Sequence, residues 1–227
     1  MLILKRGITM PVKVGLKHID IWNSSMEKEV LRYEEEPVTK DQIVFYGPSN
    51  FTRWSPKYGM TPLREAVLGK SGAPACVNRG FGSSCPEHHL YYYPRLVRPL
   101  EPRVLVYSPG FGNGAAFWYT LEESCELAQR VLAYAQTDFP GIRIYLCGAI
   151  MKRDLNETYL KNVEKWHTWL REYAEKTENC FFVDTCTNEP LQRKDIFVDD
   201  GVHYNSEGYG IYADFFRDVL AKELESY

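Results

Sequence analysis

The 227-residue chain has no basic surplus. Its 27 Lys and Arg stand against 30 Asp and Glu, a formal net charge of −3. Nucleic-acid binders neutralise phosphates with an excess of cations, so no nucleic-acid partner is expected. No secretory leader is expected either. The first residues read MLILKRG, so Lys5 and Arg6 cut off any apolar segment at once. That predicts a cytoplasmic protein. Only one long stretch lacks charge, Val104 to Leu121, and it carries Pro109, Gly110, Gly112, Asn113 and Gly114. These residues would leave backbone groups unsatisfied in lipid, so no membrane span is expected. The six cysteines (Cys76, Cys85, Cys125, Cys147, Cys180, Cys186) include no Cys-x-x-Cys pair. A zinc ribbon or thioredoxin-type site is therefore unsupported, and reduced, buried thiols are expected. The neighbours His88 and His89 would not share a helix face, so they suggest no metal site. No Gly-x-Ser-x-Gly elbow exists, because Phe51 and Pro86 occupy the second glycine position after Ser49 and Ser84. A phosphate loop fails as well: Gly69-Lys70-Ser71 has Arg64 where the first glycine should be. No internal repeat or low-complexity tract is evident.

The chain does have an ordinary globular balance, 44% hydrophobic and 25% charged, with an aromatic share of 14%. The 5 Trp, 16 Tyr and 11 Phe could serve core, ligand platform or an oligomer interface. Five short apolar runs punctuate the sequence: QIVFY at 42–46, ACVN at 75–78, RVLVY at 103–107, IRIYLC at 142–147 and CFFVD at 180–184. Such runs fit strands buried on both faces of a parallel sheet. Helical signals lie between them. Thr61-Pro62 opens one and Gly69 closes it. Ser84-x-x-Glu87 and Thr120-x-x-Glu123 read as capping boxes, with a kink or early end at Pro94. Leu155 to Ala174 carries an apolar stripe of helical period, and a last helix begins near Ser206. Alternating strands and helices predict one doubly wound α/β domain over 41–227. Residues 1–40 form an N-terminal extension, with a short strand at Val12, Val14 and Leu16 and a charged, solvated helix over 26–36.

Ligands of an open parallel sheet bind beyond the carboxyl ends of its strands. The residues there are rich in glycine and small polar groups: Gly47-Pro-Ser49-Asn50, Asn78-Arg-Gly-Phe-Gly82-Ser-Ser84, and Ser108-Pro-Gly110-Phe-Gly-Asn113-Gly114. A fourth such segment, Asp199-Asp200-Gly-Val-His203, precedes the last helix. Together they suit acyl transfer. A serine hydroxyl needs a base within hydrogen-bond reach. Ser49 is the candidate nucleophile, His203 the base, and Asp200, three residues earlier, the group that orients the ring. The N–H groups of Ser49 and Gly82 and the amide of Asn113 are candidate oxyanion donors.

These blocks resemble those of the SGNH hydrolases, also called GDSL-like lipases and esterases. The likeness rests on Ser49 after strand one, Gly82 after strand two, Asn113 after strand three, and Asp200-x-x-His203 near the C-terminus. It runs from about Gln42 to the end of the chain. It implies a three-layer α/β/α fold with a five-stranded, flavodoxin-like parallel sheet, and ester hydrolysis through an acyl-enzyme without metal or organic cofactor. Two departures stand out. Pro48 sits where the family usually has Asp or Ser, and the third block reads Gly-Phe-Gly-Asn-Gly in place of Gly-x-Asn-Asp.

The substrate expected is a small ester, and an acetylated carbohydrate is one candidate because aromatic faces stack on sugar rings. Asn50, Trp54, Phe81, Phe111 and Trp118 are candidate pocket residues. Few lysines lie in the four blocks, which suggests a neutral ester, although Arg53 and Arg79 are near. No long apolar lid segment suggests a true lipase. The two departures motivate an alternative, a non-catalytic binding module on the same fold. A second alternative is dinucleotide binding, because Gly110-Phe-Gly112-Asn-Gly-Ala115 fits G-x-G-x-x-G/A, but the next strand ends without the required acid.

Overall fold

A computed structural model describes residues 16, 17, 19 and 23–227. Val12 and Val14 of the expected N-terminal strand lie outside the described residues. The sheet has five parallel strands, β1 (Ile43–Gly47), β2 (Cys76–Gly80), β3 (Val104–Tyr107), β4 (Arg143–Cys147) and β5 (Cys180–Val183). Their order is β2-β1-β3-β4-β5. This is the flavodoxin-like doubly wound order, and the winding reverses between β1 and β3.

Alternate strand residues point to opposite faces. Val44, Tyr46, Leu105, Tyr107, Ile144 and Leu146 enter one buried cluster, shared with α1 (Asn23–Glu34), α4 (Pro86–Leu96), α6 (Leu121–Asp138) and α7 (Glu157–Glu175). Ile43, Phe45, Val104, Val106, Tyr145 and Cys147 enter the other. That second layer includes α2 (Ser49–Thr52), α3 (Leu63–Ala66), α8 (Ser206–Val219) and α9 (Ala221–Leu224). Three layers result, with apolar cores on both sides of the sheet. A fully buried side chain such as Phe45 contributes roughly 1.5–3 kcal/mol by leaving water.

The helix over 23–34 is less solvated than its charge suggests. Met26, Val30 and Tyr33 are buried in the α4 layer, and the Tyr33 hydroxyl donates to Gly80 O at 2.7 Å. Thr120 caps α6 as expected, its side chain accepting from Glu123 N. For α4 the cap falls on Cys85, not Ser84, and the helix runs past Pro94 to Leu96. Ser84 Oγ is already taken, donating to Phe81 O at 2.6 Å and contacting His89 Nε2 at 2.8 Å. All six cysteines are free thiols, five of them buried. Among the described residues no helix is long and apolar enough to cross a membrane.

Candidate active site

The carboxyl ends of β1, β3 and β4 meet at the point where the winding reverses. Gly47 ends β1 so close to β3 that a Cβ there would lie 2.8 Å from Ser108 O. The next turn begins α2 with Pro48 as its cap and Ser49 as its first residue. N–H groups of a first helical turn have no intrahelical acceptor, and Ser49 N–H is one of them. The missing donor of Pro48 costs nothing here for the same reason.

His203 comes from a tight loop before α8. Phe197 and Tyr204 bridge across it, and Val198 N donates to His203 O at 2.9 Å. Gly201, with φ +66°, makes the turn in the left-handed region. Asp200 Oδ1 accepts from Val202 N and His203 N, both at 2.9 Å. Its Oδ2 lies 2.8 Å from His203 Nδ1. The carboxylate accepts only, so Nδ1 carries the ring proton and Nε2 is the acceptor. Nε2 lies 2.7 Å from Ser49 Oγ. The three predicted residues thus form one hydrogen-bonded chain across 154 residues of sequence.

The charges suit this arrangement. Partial burial opposes ionisation of Asp200, but hydrogen bonds from His203 and Val202 outweigh it and hold the carboxyl far below the usual range. Burial pushes His203 down, the Asp200 hydrogen bond pulls it back up, and the Arg53 charge pushes it down again. The net shift is downward, so the imidazole is neutral at neutral pH. Arg53 pairs with Asp200 Oδ2 at 3.2 Å.

A family model of the GDSL-like lipases and acylhydrolases matches residues 46–211. The chain belongs to the GDSL-like lipase/acylhydrolase family. Solved structures share its fold at low identity. One titled a putative platelet activating factor from Streptococcus pneumonia is 18% identical, with a TM-score of 0.68 over 88% of this chain and 95% of that one. A putative acylhydrolase from Bacteroides fragilis is also 18% identical, with a TM-score of 0.67 over 88% of this chain and 98% of its own. An acetyl xylan esterase is 19% identical, with a TM-score of 0.64 over 79% of this chain and 99% of the other. No curated protein is significantly similar in sequence.

Beside Ser49 and His203, this GDSL-like chain has an open cavity of about 320 Å³. Asn50, Phe111 and Asn113, all expected near the site, line it. Asn113 sits in α5 (Phe111–Ala116), and its Nδ2 donates to Ser84 O at 2.8 Å. That bond uses one amide hydrogen and fixes the side chain, leaving the second to point elsewhere. Gly82 follows the end of β2, half-buried, and does not line the cavity.

Three expected pocket residues are elsewhere. Trp54 is 1% exposed and packs under the sheet, 5.3 Å from the Tyr212 ring and 6.1 Å from Phe45. The single turn of α2 swings the chain down, so Trp54 enters the core beneath the site. Phe81 is fully buried, because its N–H bonds to Gly47 O and extends the strand pairing, turning the ring towards Tyr46 and Tyr92. Trp118 points to solvent, 76% exposed, from a left-handed turn at φ +59° between α5 and α6. Tyr209, Tyr212 and Phe216 are core residues, as expected.

One whole wall lies outside the four glycine-rich blocks. Gly148, Ala149, Ile150 and Lys152 after β4, with Tyr159 of α7, line the cavity. The strand-end rule points to them, but no motif marks them. The glycine-rich third block does not start a long phosphate-binding helix, because α5 has only six residues. A second serine–histidine contact, Ser84 with His89, is fully buried and bonded to Tyr107 Oη at 3.2 Å, so it serves packing. His167, Asp184 and Cys186 place ligand atoms within 4.8 Å of one another. Protein groups already occupy them: His167 Nε2 accepts from Ala149 N, Cys186 Sγ donates to Ala149 O, and Arg171 lies 3.8 Å from Asp184.

Proposed function

We propose that this acylhydrolase is a serine esterase that cleaves small esters through an acyl-enzyme. The observation that carries the reading is the hydrogen-bonded chain Asp200–His203–Ser49 opening on a cavity. Ser49 Oγ attacks the ester carbonyl as His203 Nε2 takes its proton. Asp200 stabilises the imidazolium that forms. Ser49 N–H and the second hydrogen of Asn113 Nδ2 serve the oxyanion, while Gly82, which does not line the cavity, is left out of that role. The intermediate collapses, the C–O bond to the alcohol breaks, and His203 returns its proton to the leaving oxygen. Water then repeats the sequence on the acyl-Ser49 ester and releases the acid.

The cavity of about 320 Å³ favours a short acyl group, because it sits at the small end of ligand pockets. The rings of Phe111 and Tyr159 offer apolar surface for a carbohydrate alcohol, and an acetyl ester of a sugar is the leading substrate. The acetyl xylan esterase on the same fold agrees with that choice. The test is hydrolysis of para-nitrophenyl acetate and of an acetylated oligosaccharide by wild type and S49A. Turnover by wild type and none by S49A is expected. Inactivity of wild type towards every short ester would support the binding-module reading instead.

A further inference from the structure

The cavity holds a cation that the reaction above does not use. Lys152 lines it from the loop after β4, facing the same space as Ser49 and His203. No carboxylate lines the cavity with it. The two arginines nearest the catalytic loop are consumed. Arg53 pairs with Asp200 at 3.2 Å. Arg153 donates to Asp199 O at 3.1 Å, contacts Val198 O at 3.4 Å and pairs with Asp154 at 3.2 Å. Lys152 makes no ion pair with any described residue. Its ammonium lies 4.7 Å from the centre of the Tyr159 ring and 3.9 Å from the Cβ position of Gly112.

The backbone around this lysine is held. Arg153 N donates to Gly201 O at 2.8 Å, which ties the loop to the turn that carries His203. Tyr159 Oη donates to Ile150 O at 3.0 Å, which fixes the ring beneath the ammonium. A surface lysine normally leads its charge into bulk water. Here the ring contact keeps the charge over the cavity, between the start of α5 and the start of α7. An ester seated with its carbonyl at Ser49 would have its flanking groups in this space. A flanking anion gains a charge-assisted hydrogen bond there, and no cavity-lining carboxylate repels it.

We propose that Lys152 is a specificity-determining residue that binds a carboxylate carried by the ester substrate. The proposal rests on the esterase reading and narrows its substrate class to acid-bearing esters. The carboxylate can sit on the acyl half, as in a dicarboxylic half-ester, or on the alcohol half, as in an acetylated sugar acid. It also revises the expectation of a neutral ester, which rested on the scarcity of lysine in four blocks that do not include this loop.

Two substrate pairs separate the halves. For the acyl side, para-nitrophenyl hemisuccinate is compared with para-nitrophenyl butyrate. For the alcohol side, para-acetoxybenzoate is compared with its methyl ester. In at least one pair wild type should favour the acid by about fivefold or more in kcat/KM, mainly through KM. K152M should bring that ratio to about one, K152R should retain a preference, and K152E should invert it. Equal acid-to-neutral ratios in wild type and K152M for both pairs would overturn the proposal. A protein that cleaves none of the four esters fails the esterase reading, and the anchor is then read without turnover. Titrating succinate and para-hydroxybenzoate into wild type and K152M should show weaker binding of one of them to the variant. Equal binding of both would overturn the anchor on its own.

Discussion

Replacing Asp200 by Asn probes the hydrogen-bonded chain at its least obvious link. The carboxylate does two jobs at once. Oδ1 accepts from Val202 N and His203 N, both at 2.9 Å, and Oδ2 faces His203 Nδ1 at 2.8 Å. In Asp200→Asn the carbonyl oxygen keeps the two backbone bonds, which holds the loop. The amide nitrogen then faces Nδ1, and two donors cannot share that contact. The ring answers by moving its proton to Nε2, where Ser49 needs an acceptor 2.7 Å away. The variant loses both the working tautomer and the charge that steadies the imidazolium. Loss of both in a serine triad costs up to about 10⁴ in rate. The Asp200 side chain is 38% exposed, so water screens part of its charge and a loss of about 10²–10³ in kcat/KM is expected. The assay is para-nitrophenyl acetate hydrolysis alongside a melting curve. A loss of less than tenfold with an unchanged Tm would refute the assignment of Asp200 as the orienting group.

Further outcomes follow from these contacts and from the packing behind them. The base must be neutral to act, so activity falls as pH drops through the His203 pKa, which lies below the ordinary histidine value. In Arg53→Gln the neighbouring positive charge is gone and Asp200 is unshared, and both changes favour imidazolium. The acidic limb of the kcat/KM profile should move to higher pH; an unmoved or lowered limb contradicts the electrostatics. Gly148→Ala tests the packing behind the site, since its new Cβ would lie 2.5 Å from His167 Nε2, the acceptor of Ala149 N. Such overpacking should cost about 2 kcal/mol, or roughly 4–8 °C in Tm by calorimetry. An unchanged Tm would mean that His167 can give way freely.

Much of this architecture is legible in the sequence because it depends on local pattern. Runs such as VLVY at 104–107 have no polar position, which only a strand covered on both faces tolerates. Asp200 and His203 are close in sequence, and one turn brings them together. Ser49 is found from its place after a strand. The positions of the aromatic residues are not set locally. Phe81 and Phe111 both follow strands in glycine-rich blocks, yet one is core and the other faces the cavity. Their fates depend on whether pairing continues past the strand, as the Phe81 N–H bond to Gly47 O does. Trp54 is drawn inward by Tyr209 and Tyr212, more than 150 residues away in sequence, and no local pattern encodes that. Lys152 carries no motif. It matters because the end of β4 lies beside that of β3, a fact of strand order.

Covalent labelling with a fluorophosphonate, read by peptide mass spectrometry, reports directly on a serine activated by His203. One stoichiometric adduct on Ser49 is expected in wild type, and its loss in both S49A and H203A although each variant remains folded. An adduct on another residue, or labelling of Ser49 that persists at full rate in H203A, would contradict a nucleophile activated by His203.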